Sequence, residues 1–264
     1  MDETVRLGGM ALGNGVLVHG PTSWACAVRE PDGTIKVAAA RKSFRASGVK
    51  SPFLRGPARL LEAILVLPAM RRELPAARLP FERKGMVGAM LATAVVTRGV
   101  RASRLRPLAK ELAAGVIALA PAALSLRSGE LAAYHGAEHV AIGGYEHGGR
   151  ATKEHERCGS HMVGPLLAAT VVGNLAVSKV SPARRGPARL AANLAAIGVA
   201  TELFGWMTRH AQSPVSRALR RPGFELQRIA ATREPTPEEL EVAQAALHEV
   251  LRLEGAAPAP SADG

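Results

Sequence analysis

The alternation of apolar and polar positions changes character near residue 50. Before that point the runs are short and broken by glycine. "RLGGMALGNGVLVHGP" is punctuated by glycines, and "WACAVREPDGTIKVAAARK" reads as two strands joined across Pro31-Asp32-Gly33, a turn-forming triplet between apolar runs. From "SPFLRGPARLLEAILVL" onward the spacing is helical, with Pro57 near the first turn, where proline is tolerated.

Longer apolar segments follow. No charge falls between Lys84 and Arg98, from Leu112 to Leu126, from Cys158 to Ser178, or from Leu190 to Thr201 before Glu202. A spanning helix needs roughly 20 mainly apolar residues, and runs of 10–14 more often belong to core or re-entrant helices. Only the third segment passes cleanly; the others pass if their flanking arginines snorkel to the headgroups. Asn174 and Glu202 lie within these segments, where a polar group is expected to line a cavity or pair helices. If all four segments cross, the basic loops at 98–110 and 179–189 fall on the side opposite the N-terminal unit, against the positive-inside bias. If some are re-entrant hairpins, every basic loop faces the cytoplasm. At least one true span is expected, with the number open.

The C-terminal pattern is the clearest. In "TREPTPEELEVAQAALHEVLRLEG", Thr236 is an N-cap, Pro237 the first helical residue and Glu239 the partner of a capping box, ahead of a stripe of Leu240, Ala243, Leu247 and Val250. The pattern thus divides the chain into a glycine-rich β-hairpin unit at 1–50, an apolar helical membrane bundle at 51–210, a C-terminal segment with its capped helix at 211–254, and a disordered tail at 255–264. The fold class is α+β, mostly helical. A soluble alanine-rich helical protein is the third reading, because three of the apolar runs are short.

Composition narrows the partners. Of 264 residues 47% are hydrophobic but only 3% aromatic, and the formal charge is +12. A basic chain favours nucleic acid or anionic headgroups. Dispersed arginines and few aromatics for base stacking argue against nucleic acid. Membrane lipid is the expected partner, with a membrane-protein complex or homo-oligomer as a further one, in the cytoplasmic membrane. Cys26 and Cys158, the only cysteines, suit a reducing compartment better than a disulfide framework. The first thirty residues lack the pattern of a signal peptide. Cys26, among apolar neighbours on a strand, reads as a buried small hydrophobe.

Candidate chemistry gathers at 134–161, where five of the eight histidines lie. In "YHGAEH", His135 and His139 are four apart and stack on one helix face, with Glu138 beside them. This His-x-x-Glu-His order is that of inverted zinc peptidases, in which the histidines bind metal and the glutamate is the general base. Alone the motif is weak: chance produces it on the order of two times in a hundred. In "YEHGGRATKEHERCGSHM", Glu146, His155 and Cys158 are further candidate ligands for zinc or another divalent metal. Three protein ligands leave a place for water and make Glu138 a candidate catalytic base; four close the site as a structural one. Asn14, His19 and His161 are candidate lining residues, although a histidine before Gly-Pro, such as His19, suits a plain turn. Gln227 and Arg228 suit docking of the C-terminal segment better than reaction.

"YHGAEH", "YEHG", "HERCG" and "PGFELQRIAATREPTPEELEVAQAAL", together with "LGGMALGNGVLVHGP", "WACAVREPDG" and "PFLRG", resemble the YqhQ-like family, domain of unknown function 1385. The likeness runs in order along nearly the whole chain. It implies a bacterial multi-pass membrane protein described as a predicted metal-dependent enzyme, with His135, Glu138, His139, Glu146, His155 and Cys158 in the metal region. The chain departs from the family pattern at Met10, Asn14 and His19, where glutamine, glutamate and arginine are usual. It also departs at Ser160, His161 and Met162, and in a shorter connection between His139 and His155. The expected function is therefore a membrane protein with a zinc-like site, performing metal-assisted hydrolysis. The alternative is a non-catalytic membrane scaffold whose structural metal site and basic loops serve a partner or anionic lipid.

Overall fold

The computed structural model describes residues 4–82, 85–126, 129–149 and 151–256; most of the expected tail lies outside them. Four strands, β1 (Gly8–Leu12), β2 (Gly15–His19), β3 (Ser23–Arg29) and β4 (Ile35–Arg41), form an antiparallel meander in that order. The β3–β4 hairpin turns where the sequence places it. Gly33 takes φ 87°, a left-handed value natural to glycine. Asp32 Oδ1 accepts from the Thr34 N–H at 2.9 Å and from its hydroxyl at 2.7 Å.

Alternation along β3 builds two cores at once. Trp24, Cys26 and Val28 point to one face and Ala25 and Ala27 to the other, and all five are buried. Under the first face lies the C-terminal half of α1 (Pro52–Glu73), with Val66 and Met70 packed against Leu12, Leu17 and Trp24. Over the second lie α5 (Glu130–His147) and α9 (Pro237–Glu254), which bring Tyr134, Ala137, Val242, Leu247 and Leu251 onto Val16, Val18 and Ala25. The sheet is the middle of three layers, with Cys26 a buried hydrophobe within it.

Helix α9 begins with the expected capping box: Thr236 and Glu239 bond each other's backbone N–H groups. Its stripe turns onto the sheet, and its C-terminal end is pinned there. Glu254 accepts from the Thr22 and Ser23 N–H groups at 2.9 and 2.7 Å and from both hydroxyls. The segment between α8 (Pro214–Leu226) and α9 lies across α5. A π-helical turn at Gln227–Ala231 opens it, and the Arg233 N–H then donates to Ala132 O at 2.9 Å. The approach requires Gly136, since a Cβ there would sit 2.0 Å from Arg233 O.

The remaining helices, α2 (Met86–Ala102), α3 (Pro107–Ala118), α4 (Ala120–Leu126), α6 (Val163–Ser178) and α7 (Arg185–Arg209), form an apolar bundle. Among the described residues three stretches, Pro107–Leu126, Gly159–Ser178 and Pro182–Arg209, are long and apolar enough to cross a membrane. The charge-free runs undercount these lengths because the helices continue through terminal arginines such as Arg185, Arg189 and Arg209. Large apolar side chains including Leu91, Val95, Val116, Val172 and Leu190 face outward, which suits lipid rather than water as the surrounding medium. Within the bundle Glu202 pairs with Arg55 of α1 at 2.6 and 3.1 Å, and Asn174 is buried. These features make the chain membrane-associated.

Two outcomes test this frame. Gly136→Ala should lower stability by at least about 1–3 kcal/mol through overpacking against a backbone carbonyl, read as an earlier thermal unfolding midpoint in detergent; an unchanged midpoint would contradict the close approach. For Glu254, burial alone would raise the carboxyl, but hydrogen bonds from Ser23 and Thr22 outweigh it and hold the group below the usual range. The folded-state value being depressed, its stabilisation is fully present above the unfolded value of about 4.3 and is lost as pH falls through the folded value. Glu254→Ala should cost about 1–3 kcal/mol at pH 7 by stranding its donors. The gap between variant and wild type should close as the medium is acidified, and a gap constant down to low pH would refute the assignment.

Candidate metal centre

Helix α5 carries no strong apolar stripe, because both of its sides are covered. One packs on the sheet and α9, and the other faces the connection that follows it. Along that second side His135 and His139 lie one turn apart, their ring centroids 4.4 Å from each other. Cys158 arrives from the loop before α6, and its Sγ stands 3.5 Å from His135 Nε2. Ligand atoms of His135, His139 and Cys158 all lie within 4.8 Å of one another.

Hydrogen bonds orient the two rings. His135 Nδ1 is 2.8 Å from Ala231 O and His139 Nδ1 is 2.5 Å from Lys153 O. A carbonyl only accepts, so each Nδ1 carries a proton and Nε2 is the nitrogen left for an ion, the arrangement that orients metal-binding histidines. Burial first, and then the neighbouring His135, push His139 down to about 2, so its ring is neutral. Burial raises the Cys158 thiol, partly offset by bonds from Ser160. A tetrahedral ion with bonds of about 2.0–2.3 Å needs donors about 3.5 Å apart, the separation already found for His135 and Cys158. The donor chemistry fits zinc or a similar divalent ion.

Glu138 lies beside this trio in a cavity of about 450 Å³ walled by Gly8, Gly9 and Met10 of β1, by His135 and His139, and by Arg157 and Cys158. Strand β1 presses on it closely: a Cβ at Gly9 would come within 2.4 Å of Glu138 Oε1. Burial pushes the carboxyl up to about 7, with His135 pulling the other way and Cys158 adding to the rise. Among the described residues it forms no ion pair.

Of the other candidates His155 stands nearest, its ring centroid 5.5 Å from that of His139, but its nitrogens are bonded elsewhere. Glu146 and His155 bond each other at 3.1 Å, and Glu146 also pairs with Arg157. The second ring nitrogen of His155 accepts from the Arg157 N–H at 3.3 Å, so both nitrogens are occupied although the ring lines the same cavity. His161 is buried against the Arg220 and His155 carbonyls at 3.0 and 3.2 Å. His19 reaches the cavity wall; burial, with Lys42 beside it, pulls it down to about 4. Asn14 is not at the cavity. Its amide donates to Arg29 O and Ala76 O, and its carbonyl accepts from the Arg78 N–H, clamping the loop after α1 to the β1–β2 turn.

Gln227 supports the site from outside. It is fully buried, accepts from the His155 N–H at 2.8 Å and donates to the Ser160 hydroxyl at 2.8 Å. These bonds grip the loop on both sides of Cys158. The carbonyls of Lys153 and Ala231 have no signature in the sequence, since any residue would supply them.

No curated protein and no solved structure matches the chain. The sequence model of one family does match, over residues 129–253, a stretch that contains α5, the trio and α9 up to its penultimate residue. That family is described as Protein of unknown function (DUF1385), and its model covers a little under half of the chain.

Proposed function

We propose that this membrane protein holds a divalent, zinc-like ion on His135, His139 and Cys158 and uses it for hydrolysis. The observation that carries the reading is the convergence of three donors whose two imidazoles are each oriented by a backbone carbonyl. Among the described residues the group has three protein donors, which leaves a coordination position open; a structural site would close it with a fourth. An ion so placed would act as a Lewis acid and acidify water.

The chain's own residues supply the rest. Glu138 shares the cavity with the trio and is the one carboxylate there free of an ion pair among the described residues, which suits it to take a proton from water. β1 keeps the carboxylate from swinging away, because the Gly9 backbone sits directly against it. Arg157 stands at the cavity wall, its charge compensated and its position fixed by Glu146. The Gln227 bonds keep the Cys158 loop in register with α5.

Metal analysis of the detergent-purified protein tests the proposal. Wild type should carry about one divalent ion per chain and His135→Ala/His139→Ala essentially none, since two of three donors are gone. Equal metal content in both would end the proposal. Glu138→Gln should keep its metal, as expected of a base that is not a ligand; loss of metal in that variant would make Glu138 a ligand instead.

A further inference from the structure

A larger cavity lies in the apolar bundle. It occupies about 1030 Å³ between α2 and the α3–α4 stretch, at the upper end of small-ligand sites, which run to about 1,000 Å³. Its middle is apolar, with Met86, Met90 and Ala94 on one wall and Ala118 and Ala122 on the other. Met86 to Arg98 spans twelve helical positions, so the α2 wall of the groove runs about 18 Å at 1.5 Å per residue.

Its two ends differ. At one end Pro80 and Ser125 line it, and the same two residues line the candidate metal cavity. At the other end of the α2 wall stand Thr97, Arg98 and Arg101, and Arg189 of α7 also lines the groove. Arg101 is neutralised by Glu111 at 3.0 Å. Arg98 and Arg189 have no acidic partner among the described residues. The Arg189 Nε and the Thr97 hydroxyl are both buried without a hydrogen-bond partner among them. A buried donor left unbonded is costly. Such an end calls for an anion bearing several acceptor oxygens, attached to an apolar body that fills the groove.

We propose that this groove binds one anionic phospholipid, its phosphate held by Arg98, Arg189 and Thr97 and an acyl chain lying along α2 towards Met86. A zwitterionic lipid brings its own cation to an end that already has two. An anionic one leaves the guanidinium groups compensated, and the basic residues of the neighbouring loops favour it further. The site stands independently of the metal reading.

Native mass spectrometry of the full-length protein, incubated with equal amounts of phosphatidylglycerol and phosphatidylcholine, tests the assignment. Wild type should retain phosphatidylglycerol preferentially. Arg98→Ala/Arg189→Ala should reduce that preference by roughly ten- to thirtyfold, since each basic side chain near an anionic headgroup contributes about fivefold. Arg98→Lys/Arg189→Lys should keep most of it. The loop variant Arg104→Ala/Arg106→Ala should also keep it, with the same thermal midpoint as the site variant. Equal retention of the two lipids by wild type would overturn the proposal. So would a loop variant that loses the preference as fully as the site variant, because the attraction would then be diffuse.

Discussion

Backbone contact between α5 and the strand-like segment after the π-helical turn organises the region around the candidate site. At Gly136 the two chains come closer than any side chain would permit, and the Arg233 N–H bonds Ala132 O across the junction. Close approach of this kind fixes position without relying on side-chain packing, which matters in a chain built largely from alanine. The same crossing sets Ala231 O against His135 and brings Gln227 to the loop that carries Cys158. One contact thus joins the C-terminal helix, the orientation of an imidazole and the placement of a thiol.

The site lies where two environments meet. On one side is the three-layered unit of sheet, α1, α5 and α9, whose cores are conventionally buried. On the other is a bundle whose large apolar side chains face outward. A carboxylate and two imidazoles in a small cavity at that boundary are shielded from bulk water. Shielding strengthens every electrostatic interaction within the cavity. It also explains why ionisable groups there depart from their ordinary behaviour while those on the outer surface of α9 are held by simple ion pairs such as Arg252 with Glu249.

Elements governed by local rules were legible in the sequence. The β3–β4 turn, the capping box of α9, the apolar stripe facing the sheet and the pairing of His135 with His139 on one face all follow from nearest-neighbour geometry. The helix lengths were less legible, because charge-free runs end at arginines where helices do not. Nor could the ligand set be read. Glu146, His155 and Cys158 are equivalent candidates by chemistry, and the difference is that Glu146 and His155 bond each other and Arg157 while Cys158 faces His135.

By itself, then, the sequence determined the class of fold, the β3–β4 turn, the capped helix and the helical face on which a metal ligand pair would stand. Tertiary structure alone decided which distant donor joins that pair, where Asn14 and His19 point, and which carbonyls hold the rings. The reason is range. Turn, cap and helical-face preferences act within four residues, whereas the bonds from His135 to Ala231 and from Gln227 to His155 cross gaps of 96 and 72 positions and exist only once the segment after α8 has packed against Gly136.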